Sequence, residues 1–307
     1  MSEPERRDAP SDEASHPQRD AQRDAPVDAE DGDAAERYKT VRPFRGARLE
    51  RELLADAVLR WALVLVAALG FVVVLSFGVG VTTAAVVALG LVVAVWLLLN
   101  LTSARISRDL PRLGAMIEAE PALAEDHLAR HLRARPLLAW VRLMLYHRLA
   151  GLRHRQQRYE ESLAICAAVL PHHLGPARDA RGHLLLMLVE AALERRDLIS
   201  AYHGLLELHG TRLSLVEALQ RLALQTRYEV LCGHHDHALW RAAEKVQLAE
   251  LMPAAQCGAV HAILATAATH TRQEQLAHWL WQRTELLCTP EQVRQLRAGG
   301  SGIGIVA

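Results

Sequence analysis

Lysine is almost missing from this 307-residue chain: Lys39 and Lys245 stand alone, and arginine carries the rest of the basic charge. In a background rich in Ala and Leu, that bias points to a bacterial, GC-rich coding sequence. Cysteine is scarce as well, and Cys166, Cys232, Cys257 and Cys288 are widely spaced with no CxxC pair. That pattern suits buried thiols in a reducing compartment better than a disulfide framework. Formal net charge is zero, so no global field favours nucleic acid, and no nucleic-acid partner is expected. No Gly-rich phosphate loop, GxSxG elbow or HExxH helix occurs, which removes the commonest routes to nucleotide, acyl-transfer and zinc-peptidase chemistry. The expectation is a protein that is not an enzyme and needs no cofactor.

Bulky apolar side chains are nearly absent from residues 1–40, where Val27 and Tyr38 are the first. Such a segment buries too little surface to offset its ordering entropy, and a disordered acidic tail is expected. Charge is then absent over the whole run from Trp61 to Ala104. About 20 helical residues cross a hydrocarbon core, so the run predicts two spans, near 59–78 and 81–101, broken around Gly78 and Gly80. This is the transmembrane helical hairpin of residues 59–101, preceded by a basic juxtamembrane segment over 41–58. Arg42, Arg45, Arg48, Arg51 and Arg60 before it, and Arg105, Arg108 and Arg112 after it, place both flanks and both termini in the cytoplasm of a bacterial inner membrane. No ionisable group lies within the run to serve as a proton or ion pathway, so an anchor is the expected role.

Alternating strand patterns are missing from the remainder, and residues 105–297 read as all-α. Pro111 and Pro121 sit where first-turn prolines would begin helices. Four segments are self-similar: RQQRYEESLAICAAVL, LERRDLISAYHGLLEL, LCGHHDHALWRAAEKV and HTRQEQLAHWLWQRTE. Their small residues Ser162, Ala201, Ala238 and Ala277 fall 39, 37 and 39 residues apart, and a weaker copy centres on Ala124. A period near 38 with two helices per unit predicts an α-solenoid of about four to five helix pairs. Capping boxes are expected at Ser214 with Glu217 and at Thr271 with Glu274, and a short last helix opens at Thr289–Pro290. The Gly-rich stretch 298–307 follows as a flexible tail.

The copies resemble the tetratricopeptide repeat family through Tyr159, Ser162, Leu163 and Pro171 in one unit and Leu198, Ala201 and Tyr202 in the next. The period is longer than the family's 34 residues, and the first-helix signature of Trp, Leu-Gly and Tyr is largely missing. That resemblance implies helix pairs packed at Tyr159, Ser162, Leu163, Leu198, Ala201, Tyr202, Ala238 and Ala277. It also implies a concave face that receives another protein or a peptide segment, and hence a membrane-anchored scaffold or adaptor.

Two clusters carry the candidate sites. Trp240, Trp279 and Trp281 are candidate partner contacts, because aromatics anchor interfaces. The basic residues Arg153, Arg155 and Arg158 are candidates too, on a stretch that reads either as a solvated face or as one turned to anionic lipid or an acidic peptide. The stretch CGHHDH (232–237) almost fits the H-x-H-x-D-H signature of binuclear metallohydrolases, with His234, Asp236 and His237 as the alternative metal ligands. In the repeat register the same stretch is a turn, in which Gly233 closes one helix in the left-handed conformation and Asp236 caps the next, as Asp197 does one unit earlier. A third reading is a structural hairpin that self-associates or bends the bilayer.

Overall fold

The computed structural model describes residues 46–77, 83–134, 136 and 138–298. The expected acidic tail at 1–40, the break at Gly78 and Gly80, and the tail from 299 lie outside them. Among the described residues there are thirteen α-helices and no strand. They run α1 (Gly46–Phe77), α2 (Thr83–Ala119), α3 (Pro121–Arg133), α4 (Ala139–Arg155), α5 (Tyr159–Val169), α6 (Ala180–Glu194) and α7 (Leu198–His209). The rest are α8 (Leu215–Leu231), α9 (His235–Leu239), α10 (Ala242–Ala249), α11 (Ala254–His270), α12 (Glu274–Leu287) and α13 (Pro290–Arg297). The described residues are all-α, as the periodicity predicts.

The first two helices each have two halves with opposite surroundings. In α2, Ile106, Leu110, Leu113 and Ile117 recur at helical spacing and are buried against α3 and α4. The preceding residues, from Leu91 to Leu101, expose their large apolar side chains. Pro111 therefore lies inside a helix and does not start one. An interior proline loses one backbone hydrogen bond, and the buried stripe on either side of it holds the helix together.

Among the described residues one helix, over Gly90–Ala119, is long and apolar enough to cross a membrane. That is one span where the sequence predicts two. The apolar half of α1 also exposes large side chains, with Trp61, Leu65 and Leu69 more than half exposed, and its first turns carry Glu50, Arg51, Glu52 and Asp56. Those turns are tied down. Arg142 of α4, 2% exposed, sets its Nη1 2.6 Å from an Asp56 carboxylate oxygen and donates to the Glu52 carbonyl at 3.1 Å. Tyr146 adds a hydrogen bond from its hydroxyl to the Glu52 carboxylate at 2.8 Å. No joint separates the apolar halves from the packed ones: each helix is continuous.

From α4 onward the same turn recurs. Gln157, Arg196, Gly233 and Arg272 all have φ between 59° and 78°, the left-handed region, at spacings of 39, 37 and 39 residues. The amide after each one donates to the carbonyl five residues back: Arg158 to Arg153, Asp197 to Ala192, His234 to Glu229 and Gln273 to Ala268, at 2.8–2.9 Å. This bond closes a helix in the Schellman manner. Four residues further on come Ser162, Ala201, Ala238 and Ala277, whose amides open the next helix and whose side chains are buried. Small side chains are needed there because the second helix of each pair lies against the first; Ser162 also donates to the Ala150 carbonyl at 3.1 Å. Pairs α4/α5, α6/α7, α8/α9 and α11/α12 follow this plan, and α4, α6, α8 and α11 touch in succession.

The register also corrects two caps. The residue that opens each second helix lies four before the small residue, so it is His234 and not Asp236 in the third pair, and Gln273 and not Thr271 in the fourth. Thr271 instead donates back to the carbonyls of Ala267 and Ala268. Asp197, Ser214 with Glu217, and Thr289 cap their helices as expected. Helix α13 closes the stack, with Val293 buried against Ala259 and Cys288.

A polar ladder runs between the first helices. His147 meets His183 at 2.9 Å, and two turns along His154 meets Glu190 at 3.0 Å, both offsets being 36 residues. Burial, then the neighbouring His183 and Arg148, push the His147 imidazole down to about 3 from 6.5. Between those pH values only the unfolded chain binds this proton. Its contribution to stability is complete above about pH 6.5 and falls by about 1.4 kcal/mol per pH unit below that. His147→Gln, which cannot titrate, is expected to remove about one proton from the uptake on unfolding near pH 5, measured from the pH dependence of denaturation midpoints.

Candidate partner-binding groove

The third pair departs from the others, and the departure opens a groove. Helix α9 stops after five residues; Trp240 turns extended (φ −57°, ψ 125°), Arg241 is left-handed, and α10 restarts at Ala242. Breaking a helix leaves its last carbonyls without partners. Lys245, the one lysine among the described residues, fills the gap: its ammonium donates to the Ala238 carbonyl at 2.8 Å and the His237 carbonyl at 3.4 Å, and lies 3.4 Å from Glu229. No sequence signal marked it except its rarity.

Beside this break a cavity of about 540 Å³ lies between α7, α8 and the start of α9. Leu205, Leu206, Tyr202 and Tyr228 supply an apolar lining, with His209, His234, His237, Gln225 and Glu229 around it. The two tyrosine rings are 6.2 Å apart at 31°. Interaction with the Cys232 thiol, ahead of burial, pushes the Tyr228 phenol up to about 12. Glu229 is occupied by Gln225 at 3.1 Å and by Lys245. On α7 the exposed residues Ile199, Tyr202 and Leu206 form a strip at i, i+3 and i+7 that leads into the cavity.

The CGHHDH stretch is thereby dispersed. Gly233 takes the expected left-handed conformation at φ 78°. His234 and His237 turn to the groove with ring centroids 6.2 Å apart, His235 stacks on His270 of α11 at 4.3 Å, and Asp236 faces solvent. Among the described residues no three His, Cys, Asp or Glu side chains gather in a way that could hold a metal ion. Adjacent positions on a helix point in different directions, so ligand types close in sequence do not converge.

The other candidates are similarly sorted by the fold. Arg153 is 1% exposed, so it is no surface contact: its Nη2 lies 3.0 Å from Glu125, its Nε 3.0 Å from Glu161, and its Nη1 donates to Gln156 at 2.6 Å. Arg158 pairs with Glu161, and Arg155 alone of the three is exposed. Trp240 is 69% exposed beside the break, with the Arg241 guanidinium 5.5 Å from its ring. Trp279 and Trp281 carry Arg283 and Arg297 at 5.2 Å each. Ala201, Ala238, Ala277 and Ser162 are core; Tyr159, Leu163 and Leu198 are half-buried; Tyr202, expected to pack between helices, is half exposed at the groove. All four cysteines are free, and burial pushes the Cys166 thiol up to about 12, which leaves it inert. Comparison with protein-family models, with curated proteins and with solved structures finds no match to the chain.

Proposed function

We propose that this chain is a membrane-anchored adaptor: a two-helix apolar stem fixes a tetratricopeptide-like α-solenoid to the cytoplasmic face of a bacterial inner membrane, and the solenoid docks another protein. The observation that carries the reading is the groove beside the α9 break, where an exposed apolar strip on α7 meets a cavity walled by two tyrosines. Aromatic and aliphatic anchors in a concave site are the usual centre of a peptide-binding surface. The recurring left-handed turns and the succession of helix pairs favour the solenoid, because each pair buries its apolar face only against the next. Exposed apolar side chains along α1 and α2 favour the stem, since a water-facing surface of that extent is costly. Both termini then lie on the cytoplasmic side, with the basic flanks.

A photo-reactive residue at Leu206 in the full-length membrane form is expected to yield a discrete protein adduct that one at Arg294, on the far helix, does not. Tyr202→Glu should weaken that adduct by at least about tenfold, the effect of losing one anchor residue. An adduct pattern that is the same at both positions, or that ignores Tyr202→Glu, would sink the groove assignment.

A further inference from the structure

The apolar surface of α2 ends abruptly. Leu101 is its last exposed large apolar side chain, and Arg105, Arg108 and Arg112 follow on successive turns, all exposed. Helix α3 then runs back alongside, and His131 Nε2, 3.9 Å from an Asp109 carboxylate oxygen, marks which residues of the two lie level. That register brings Arg130 and Arg133, both exposed, to the level of residues 107–110. Among the described residues none of these five guanidinium groups is ion-paired: Arg130 donates only to the Asp126 carbonyl, at 3.4 Å, and the Asp109 carboxylate lies 3.9 Å from His131. Elsewhere in the fold Arg142, Arg153, Arg158, Arg181, Arg195, Arg227 and Arg283 find carboxylates, while exposed arginines such as Arg212, Arg272 and Arg294 stand singly in solvent. These five exposed arginines, from two helices, leave a cluster of positive charge just below the apolar half of α2, free to meet an anion from outside.

The position selects the source. At 1.5 Å per residue, Arg105 stands about 6 Å beyond Leu101, at headgroup level, and Arg108 and Arg112 stand about 10 and 16 Å beyond it, within about a Debye length of a headgroup surface. A bilayer's headgroup layer extends about 5–8 Å beyond its hydrocarbon core on each side. Whatever covers the exposed side chains from Leu91 to Leu101 must therefore present anions within one or two helical turns of its apolar edge. An acidic protein could supply the anions but not the continuous apolar sleeve.

We propose that Arg105, Arg108, Arg112, Arg130 and Arg133 form a platform that binds the phosphates of anionic lipids, so that the helical domain sits on negatively charged headgroups. The proposal rests on the reading of α2 as a membrane span, and its test separates the two. Full-length protein is reconstituted in bilayers of equimolar phosphatidylcholine and phosphatidylglycerol, then extracted with detergent, and the retained lipids are counted by native mass spectrometry. Phosphatidylglycerol is expected to exceed phosphatidylcholine at least about fivefold, the factor that a single arginine at an anionic surface supplies. R105Q/R108Q/R112Q and R130Q/R133Q should each reduce the preference, and the combined variant should bring it to parity. R212Q/R272Q/R294Q, which removes exposed charge far from the stem, should leave it unchanged.

Parity in the wild-type protein overturns the proposal, as does a preference that survives the combined variant or falls equally in the remote one. Inorganic phosphate added at extraction distinguishes a small-anion site: if it abolishes the enrichment, the platform is not a lipid surface. Protein that alkaline carbonate strips from the bilayer overturns the anchor itself, whereas protein that resists stripping and shows no lipid preference overturns the platform alone.

Discussion

Replacing Arg153 with methionine should lower the unfolding free energy of the helical domain by about 3–5 kcal/mol, the cost of removing one partner from a buried charge pair. The side chain has almost no contact with water, and Glu125, on α3, is 3% exposed. Glu125 accepts from Arg153 and from Gln156, so three elements, α3, the end of α4 and the turn before α5, meet at one carboxylate. Methionine fills most of the volume but leaves the Glu125 charge without its cation. Adding Glu125→Leu to Arg153→Met should recover much of the loss, because a well-packed apolar pair is often as stable as the ion pair it replaces. Urea denaturation of both variants checks this. A loss under about 1 kcal/mol for the single variant, the scale of an exposed pair, would mean that water reaches the site.

Arg142→Met is expected to have an effect of similar size and a different character. Its guanidinium is the buried link between α4 and the first turns of α1, through Asp56 and the Glu52 carbonyl. Without it Asp56, 7% exposed, loses the guanidinium that lies 2.6 Å away. The cheapest relief is for the base of α1 to leave α4, so about 3–5 kcal/mol should be lost locally and not from the whole domain. Hydrogen exchange should accelerate over residues 46–60 and stay slow in α6, α8 and α11. Uniform acceleration would show that the clamp is part of the common core instead.

These two arginines also show where sequence reading stops. The helical class and the period near 38 were legible, because a small side chain is required wherever the second helix of a pair opens against the first. Ser162, Ala201, Ala238 and Ala277 record that requirement directly. Arg153, in contrast, stands in a run of arginines that looks like a solvated face. Its burial follows from a carboxylate 28 residues away on another helix, which no local pattern encodes. The Thr271–Glu274 pair misleads for a related reason: it has capping-box spacing, but the register set by Ala277 opens the helix at Gln273. The groove was only half visible. Its histidines were conspicuous as potential ligands, whereas the break at Trp240 and Arg241 that exposes them depends on Lys245 reaching back to two orphaned carbonyls.

Helix α2 runs without a joint from its apolar half into the buried stripe that ends at Ile117, and α1 is held to α4 a short way below its own apolar half. Two attachment points and no swivel make the apolar halves of α1 and α2, the stem in the proposed reading, a geared shaft. Each residue inserted into an α-helix advances it by 1.5 Å and turns it by about 100°. One residue added near Thr102 would therefore rotate the domain about α2 while Arg142 still holds α1, and the two demands are incompatible. Four added residues return nearly to the starting angle. Tolerance to insertions at this point should thus follow the pitch of the helix, so that the orientation of the groove relative to the stem is set by counting residues and not by the softness of a linker.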